Sequence, residues 1–315
     1  MTKVENVIVN EEDSGIRLDR WFKRHHPKVS HISVEKALRK GQIRVDGKKV
    51  KAGHRMEAGQ EVRVPPLVEY TPKEKTVKLI PAKYIDIIQK SVLYKDSEII
   101  IINKPSGLAV QGGVGVDVSV DLLLDYLKFD YTERPKLVHR LDKDTSGILI
   151  LARKTSIASK VTEAFRDKSI EKVYWAVVIG APKEREGKIT LPLLKRDTGA
   201  GKEKVVVDEE NGLKATTLYR ILDNAGGKVS LLELRPLTGR THQLRVHMAA
   251  IGHPILGDGK YGGRGAFIEG LENKMHLHAR QINLPPKMAK KLEFIAPIKG
   301  HMELTFKELE LDADK

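Results

Sequence analysis

Residues 139–151 read HRLDKDTSGILIL, a charged loop that runs directly into an apolar strand. Leu141 and the run that begins at Ile148 anchor this loop on both sides, which places its charged side chains on a turn. Turns held on a scaffold carry function more often than cores do. Taken alone, however, an Arg-x-Asp sequence such as Arg140 and Asp142 is more often a structural ion pair than a catalytic pair. The rest of the sequence has to decide between these interpretations.

The composition predicts a basic globular protein that binds a polyanion. Of its 315 residues, 40% are hydrophobic, and the net charge is +14. Nucleic acid is the usual partner for such a charge, and an anionic membrane surface is the alternative. The sequence has neither a membrane-spanning run nor a targeting segment, so we expect a cytoplasmic protein without a membrane partner. The absence of cysteine excludes disulfides, thiolate metal sites and cysteine nucleophiles.

Much of the positive charge lies in residues 16–64, which contain 14 Lys or Arg against 5 Asp or Glu. Helical spacing predicts one helix from Leu18 to Pro27 and a second from about Val34, with Ser33 as its N-cap. Asp46-Gly47 predicts a hairpin, with Val50 on the returning strand and a further strand closing a small sheet.

This pattern indicates a small α/β module that binds RNA or DNA. A solvated helix face is the alternative explanation of its charges, but basic residues recur on the predicted helix, turn and returning strand. The side chains that we expect to contact nucleic acid are Arg17, Arg20, Lys36, Arg39, Lys40, Arg44 and Lys48.

The remaining chain predicts a larger α+β domain. Short strand-like runs, among them 98–103, 148–152 and 174–179, are interrupted by helical patterns such as 156–168, without regular alternation. We expect a mixed, mostly antiparallel sheet flanked by helices. The predicted division is an N-terminal extension (1–15), the basic module (16–64), a Pro-containing linker of extended character (65–85), the large domain (86–308) and an acidic tail that frays (309–315).

Two patterns in the large domain resemble binding motifs, but we do not expect either of them to bind the corresponding ligand. Residues 257–262, GDGKYG, match the dinucleotide-binding fingerprint, but no predicted strand precedes them and no helix follows. Histidines 242, 247, 253, 276 and 278 lack the spacing of a metal site, so we expect them to be hydrogen bonded or to face RNA. We therefore predict no metal.

Residues 237–247, LTGRTHQLRVH, predict a turn that opens a helix running to about Ile251. The turn concentrates basic side chains at the positive end of a helix, where cations are disfavoured. A partner anion would remove this conflict, and either an RNA phosphate or a carboxylate such as Asp142 could serve.

Several motifs, in this order and spacing, resemble those of the RluA/RluC/RluD family of pseudouridine synthases. The signature motifs correspond to residues 139–147, Lys172-x-Tyr174-x-Ala176 and residues 239–245, and further likenesses lie at 103–107 and 277–279. The basic module resembles the ribosomal S-four-type RNA-binding domain that the RluC and RluD branches carry. The RluC-like branch, which acts on large-subunit ribosomal RNA, is the one that the chain most resembles.

The resemblance implies that uridine in RNA is isomerised to pseudouridine without a cofactor. It assigns the essential carboxylate to Asp142, acting either as a nucleophile or as the base that removes a ribose proton. Arg245 is implied to keep this carboxylate ionised, Tyr174 to pack on the target base, and Arg140 to fill the gap that a flipped base leaves. Weaker substrate contacts are expected from His139, Thr145, Arg240 and His242.

Two alternatives remain open from the sequence. The chain could be a non-catalytic RNA-binding or ribosome-assembly factor, although the complete set of Asp142, Tyr174 and Arg245 argues against this. It could also modify transfer RNA, although that branch of the family typically lacks the N-terminal module. We expect a monomer that acts on 23S ribosomal RNA.

Overall fold

A computed structural model of the chain describes residues 4–67, 80–113, 115–199, 203–286, 288 and 292–313. The chain divides into two compact units, residues 1–79 (the N-terminal unit) and residues 80–315 (the C-terminal unit). Most of the predicted linker, residues 68–79, lies outside the described residues.

The N-terminal unit is a three-stranded antiparallel sheet packed with two helices. Its elements are β1 (Glu5–Ile8), α1 (Leu18–His25), α2 (His31–Arg39), β2 (Arg44–Val45) and β3 (Glu61–Val64), with sheet order β1-β3-β2. Apolar side chains spaced along the helices and alternating along β3 form one core. The fully buried Trp21 and Phe22 are its largest members.

Three local predictions for this unit were wrong. The expected N-terminal extension contains β1, which pairs with β3, so the unit begins before residue 16. Helix α2 begins one turn early, because the Ser30 side chain, rather than Ser33, accepts the capping bond, from the Ser33 amide. Asp46 and Gly47 do form the hairpin turn, with φ of 49° and 72°, but Val50 is not in a strand.

The C-terminal unit contains most of the strands of the chain. They are β4 (Val92–Lys95), β5 (Ile99–Lys104), β6 (Lys136–Leu137), β7 (Ser146–Ala152), β8 (Glu171–Ile179), β9 (Glu186–Thr190), β10 (Leu193–Asp197), β11 (Glu203–Val207), β12 (Thr216–Ala225), β13 (Val229–Pro236), β14 (Leu277–Asn283) and β15 (Glu293–Ile295). Its helices are α3 (Ala82–Lys90), α4 (Val120–Leu123), α5 (Thr155–Arg166), α6 (Gln243–Ala250), α7 (Gly259–Gly262) and α8 (His301–Glu308).

These strands form one large mixed sheet and one separate hairpin. The main path of the large sheet is β4-β5-β7-β14-β8-β13-β12-β9, with β15 on β14 and β6 on β7, while β10 and β11 form the separate hairpin. Strands β7 and β14 are parallel, and the other described pairs are antiparallel. The predicted fold class, a mostly antiparallel mixed sheet flanked by helices, is therefore confirmed.

The apolar runs of β5 and β7 are buried on both faces of the sheet. Even-numbered residues of β5 pack with α3 and α4, and odd-numbered residues pack with α5. Gly147, with φ of 105°, lets the start of β7 lie directly against the backbone of β14, where a Cβ would collide with Ala279. This contact fixes the strand that follows residues 139–145.

Two boundary predictions were also wrong. Helix α3 begins at Ala82, inside the stretch predicted as an extended linker, because Pro81 is tolerated at the start of a helix. The acidic tail does not fray at its beginning, since Leu311 is buried and the Asp312 amide donates to the Asp223 carboxylate. Among the described residues, no helix has the length and apolar character needed to cross a membrane.

Candidate active site

Asp142 lies on a loop between β6 and β7, residues 138–145, which we call the Asp142 loop. Leu141 is buried in the core beneath it, and the Thr145 amide donates to the Asp142 carbonyl at 3.2 Å. Thr145 itself is buried, so it supports the turn. The Asp142 side chain is 24% exposed. It is therefore held firmly but can still meet a ligand.

Lys104, at the end of β5, ties the Asp142 loop to the neighbouring chain segment. Its fully buried ammonium donates to the carbonyls of Lys143, Pro105 and Leu108 at 2.9, 2.9 and 2.8 Å. Burial lowers the pKa of Lys104 to about 7. The Gly107 amide also donates to the Lys143 carbonyl, at 3.0 Å. The sequence placed Lys104 in a motif but did not predict this role.

Arg245, from helix α6, contacts Asp142. Its Nη1 lies 3.3 Å from Asp142 Oδ2, although 103 residues separate the two in sequence. The predicted helix over this stretch forms at Gln243–Ala250. Burial alone would lower the pKa of Arg245, but Asp258 and then Asp142 raise it, so the guanidinium remains charged.

Asp258 is the main partner of Arg245, and the sequence did not reveal it. Its carboxylate accepts two hydrogen bonds from the guanidinium, from Nε at 2.7 Å and from Nη2 at 2.8 Å. Asp258 belongs to the GDGKYG stretch, where it is the N-cap of the short helix α7. Because this stretch was not predicted to bind a dinucleotide, no role was predicted for Asp258. The one signal that could have indicated Asp258 was an acidic residue at a helix N-cap.

His242 approaches Asp142 from another side, with 3.6 Å between its Nε2 and Asp142 Oδ2. It adopts a left-handed conformation, with φ of 52°, immediately before α6. Its Nδ1 shares a 2.7 Å hydrogen bond with the Tyr261 hydroxyl. Burial lowers the pKa of His242, and the charge of Asp142 partly opposes this effect. The imidazole is thus favoured in its neutral form.

These groups surround a cavity of about 370 Å³. All eight side chains that the sequence singled out as catalytic or substrate-binding line it: Asp142, Arg245, Tyr174, Arg140, His139, Thr145, Arg240 and His242. Burial, and then the charge of Asp142, raise the pKa of the Tyr174 phenol, so this phenol stays protonated at neutral pH. The cavity therefore combines a neutral phenol and imidazole with an ionised guanidinium.

Arg140 and His139, although adjacent, face different surroundings. Arg140 is exposed at the rim and has no hydrogen-bond partner among the described residues. The Nε2 of His139 accepts a 2.8 Å bond from the Ile150 amide, and its ring lies 4.4 Å from that of Phe165. Burial lowers the pKa of His139 to about 3. His139 is therefore bound within the fold, whereas Arg140 is available to a ligand.

Further cations lie at the rim of the cavity. Arg240 is exposed, and its Nε donates to the Lys214 carbonyl at 3.3 Å. Lys168 and Lys172 also line the cavity, and the pKa of Lys172 is lowered by burial and then by the charge of Lys168. This positive rim was only partly predicted, because Lys172 belongs to a predicted motif but no role was predicted for it or for Lys168.

The predicted cations of the N-terminal unit are all exposed. Two of them are nevertheless engaged: Arg17 forms a 2.6 Å ion pair with Asp19, and Arg44 donates to the Gly41 and Gly47 carbonyls. The other five side chains form no hydrogen bond or ion pair within the described residues: Arg20, Lys36, Arg39, Lys40 and Lys48.

Comparisons with known proteins identify the family of this chain. The family described as RNA pseudouridylate synthase matches residues 98–250, which include Asp142, Tyr174 and Arg245. A Vibrio cholerae relative, "Ribosomal large subunit pseudouridine synthase C", is 36% identical over 96% of this chain and 96% of its own length. The chain belongs to the RNA pseudouridine synthase family. It is therefore an isomerase that acts on RNA.

Other members of the RNA pseudouridine synthase family are also similar to the chain. "RNA pseudouridine synthase 4, mitochondrial" of Arabidopsis thaliana is 35% identical over 96% of this chain and 81% of its own length. The solved structure of human RNA pseudouridylate synthase domain containing 4 is 29% identical, with a TM-score of 0.61, and covers 73% of this chain and 97% of its own. Similarity to the Vibrio and Arabidopsis proteins therefore extends over both units.

Proposed function

We propose that this pseudouridine synthase modifies uridines in large-subunit ribosomal RNA, with Asp142 as its essential carboxylate. The observation that carries the proposal is the position of Asp142 in the cavity, half-buried and 3.3 Å from the guanidinium of Arg245. The ribosomal substrate is supported by the names of several relatives, which are ribosomal large subunit pseudouridine synthases.

The reaction requires a carboxylate but no redox agent. The bond between uracil N1 and ribose C1′ breaks, the base turns, and a bond forms between uracil C5 and C1′. The proton released from C5 is balanced by the proton that N1 gains, so the reaction is an isomerisation. Asp142 acts either by attacking the sugar or base, or by removing a ribose proton.

The surrounding groups suit both routes. Arg245 stabilises the ionised form of Asp142, because an opposite charge within about 4–6 Å favours a carboxylate. Tyr174 presents a protonated phenol at the cavity wall, where it can pack on uracil and donate a hydrogen bond. His242, favoured in its neutral form, is close enough to exchange hydrogen bonds with the substrate or with Asp142.

A uridine within folded RNA has to leave its stack to reach Asp142, which costs a few kcal/mol. Arg140 is suited to occupy the gap, because its exposed guanidinium can both stack on bases and contact phosphate. Lys168, Lys172 and Arg240 at the cavity rim would hold the flanking phosphates. Thr145 and His139 line the same cavity and also support the loop, so their contacts with RNA would be weaker than that of Arg140.

The N-terminal unit, as an S-four-type domain, would add affinity for RNA through its exposed cations without taking part in the chemistry. Phosphate contacts of this kind release counterions and weaken steeply with salt. We also propose that the protein works as a cytoplasmic monomer, since every group proposed for the chemistry comes from one chain. Sedimentation of the purified protein with and without RNA would test its oligomeric state.

Asp142→Asn tests the proposal directly. The variant keeps the size of the side chain but removes the carboxylate, so pseudouridine formation should be abolished while RNA affinity stays near wild type. Asp144→Asn, two residues further along the same loop, is the matched control and should remain active. Retained activity of Asp142→Asn would contradict the catalytic assignment.

Mapping pseudouridines in total RNA, with and without the gene, identifies the substrate. Loss of pseudouridine from large-subunit ribosomal RNA is expected, whereas loss only from transfer RNA would contradict the ribosomal assignment.

RNA with deuterium at ribose C2′ distinguishes the two routes by which Asp142 could act, nucleophilic attack and removal of a ribose proton. A primary isotope effect requires removal of that ribose proton, and its absence favours nucleophilic attack.

A further inference from the structure

Arg245 distributes its hydrogen bonds unequally between two carboxylates. Asp258 takes the Nε and Nη2 edge of the guanidinium, with bonds of 2.7 and 2.8 Å, while Asp142 receives one 3.3 Å contact from Nη1. The Asp258 side chain is 1% exposed and that of Asp142 is 24% exposed. The stronger pair is thus the one that faces away from the open part of the cavity.

We propose that Asp258 is a positioning residue that sets how Arg245 meets Asp142. This inference rests on the proposed role of Asp142 as the essential carboxylate. A guanidinium pairs best with a carboxylate when two parallel N–H groups face it. Because Asp258 occupies that edge, Arg245 cannot form the same fork with Asp142. The charge of Arg245 stays close to Asp142, but the Asp142 oxygens remain accessible to the substrate.

The backbone holds Asp258 in this position. Asp258 Oδ1 also accepts from the amides of Lys260 and Tyr261, at 3.2 and 3.4 Å, which caps α7. Gly257, with φ of 80°, packs so tightly on the Lys274 backbone that a Cβ would collide there. The carboxylate therefore has little freedom to follow Arg245 if the guanidinium moves.

The same short segment positions a second group beside Asp142. Tyr261 follows Asp258 by three residues, its ring lies 5.0 Å from the Arg245 guanidinium, and its hydroxyl bonds to His242. Residues 258–261 thus contact both side chains that approach Asp142, the guanidinium and the imidazole. This placement gives the GDGKYG stretch a role in arranging the reaction site.

Asp258→Asn in the full-length protein is the first test. The amide oxygen of Asn can still cap α7, but its uncharged side chain no longer binds both donors of the guanidinium edge. Arg245 is then free to turn that edge toward Asp142. We expect the single-turnover rate at saturating RNA to fall about 100-fold, as for other small misplacements of reacting groups, while RNA affinity stays unchanged.

Arg245→Lys separates positioning from a purely structural role. A lysine keeps the charge but has no rigid fork that Asp258 could orient, so adding Asp258→Asn to Arg245→Lys should cause no further loss of rate. Losses that multiply in the double variant would overturn the proposal. A wild-type rate for Asp258→Asn, or a loss explained entirely by weaker RNA binding, would also overturn it.

Two further variants keep the result unambiguous. If Asp258→Asn does not fold, Asp258→Glu retains the charge but displaces Arg245 by the length of one methylene, and a wild-type rate for that variant overturns the proposal. Asp130→Asn, which alters the carboxylate that pairs with Arg153, is the control and should keep full activity. Because Asp142→Asn tests the proposed function separately, an inactive Asp142→Asn beside a fully active Asp258→Asn would refute only this inference.

Discussion

Arg245 in the cavity and Arg39 on helix α2 carry the same charge in opposite surroundings. Arg245 is 9% exposed and binds two carboxylates, whereas Arg39 is exposed on a helix face together with Lys36 and Lys40. Removing Arg245 would leave two carboxylates without their counter-charge. Removing Arg39 would change only the electrostatic potential at the surface of α2. The C-terminal unit therefore holds one buried cation between two carboxylates, whereas the N-terminal unit groups several exposed cations on one helix.

The largest expected effect is that of Arg245→Met on stability. Breaking a buried ion pair by removing one partner typically costs about 3–5 kcal/mol, so the C-terminal unit should lose that much free energy of unfolding. Trp175 is the only tryptophan of this unit, since Trp21 lies in the other. Urea unfolding followed by fluorescence in a Trp21→Phe background therefore reports on the C-terminal unit.

Arg134→Met provides the matched control for Arg245→Met. Arg134 also pairs with two aspartates, Asp121 and Asp125, but its side chain is 42% exposed and theirs are 45% and 53% exposed. Exposed pairs contribute about 0–1 kcal/mol, so this variant should unfold almost like wild type. If the two variants were equally stable, the contrast between buried and exposed cations would be wrong.

The next effect depends on pH. Burial lowers the pKa of His276 and of His278 to about 4, compared with about 6.5 for an unfolded histidine. Between these values the unfolded chain binds more protons than the folded chain, so stability falls as the pH falls from 6.5 toward 4. Each histidine should contribute about 1.4 kcal/mol per pH unit within this window.

His278→Asn tests the pH effect at one site. Asn can keep a hydrogen bond to Ser146, which lies 2.8 Å from Nδ1 of His278, but it cannot titrate. The urea midpoint of unfolding is measured from pH 4.5 to 7.5 in the Trp21→Phe background. It should depend less steeply on pH when His278 is also changed to Asn. A slope equal to that of the parent would show that His278 does not stay neutral in the fold.

The sequence predicted those elements whose signal is local. The apolar runs at 99–102 and 148–151 form the buried strands β5 and β7, and Leu18, Trp21 and Phe22 form the buried face of α1 as their spacing indicated. Strand β14 was not predicted as a strand, because His278 and Arg280 interrupt its apolar pattern. Their partners, such as Ser146 for His278, come from neighbouring strands.

The candidate site was predictable only where a motif could be matched to a family. The pairing of Asp142 with Arg245 joins residues 103 positions apart, and no spacing rule reaches that far. Asp258 had no comparable motif, and its pairing with Arg245 exists only because α6 and α7 lie side by side. The role of Lys104 could not be predicted for a related reason. Its three acceptors are backbone carbonyls, which every residue has and which therefore give no sequence signal.

The smallest expected effect belongs to the cations of the N-terminal unit. Changing Lys36, Arg39 and Lys40 together to alanine should weaken RNA binding and reduce the slope of log affinity against log salt by about 2, if each cation neutralises one phosphate of single-stranded RNA. The rate at saturating RNA should not change, because none of these residues belongs to the cavity. Lys307→Ala, on the surface helix α8, is the control and should leave the slope unaltered. A wild-type slope in the triple variant would mean that these three cations do not bind RNA. A lower rate at saturating RNA would mean that they affect the reaction as well as binding.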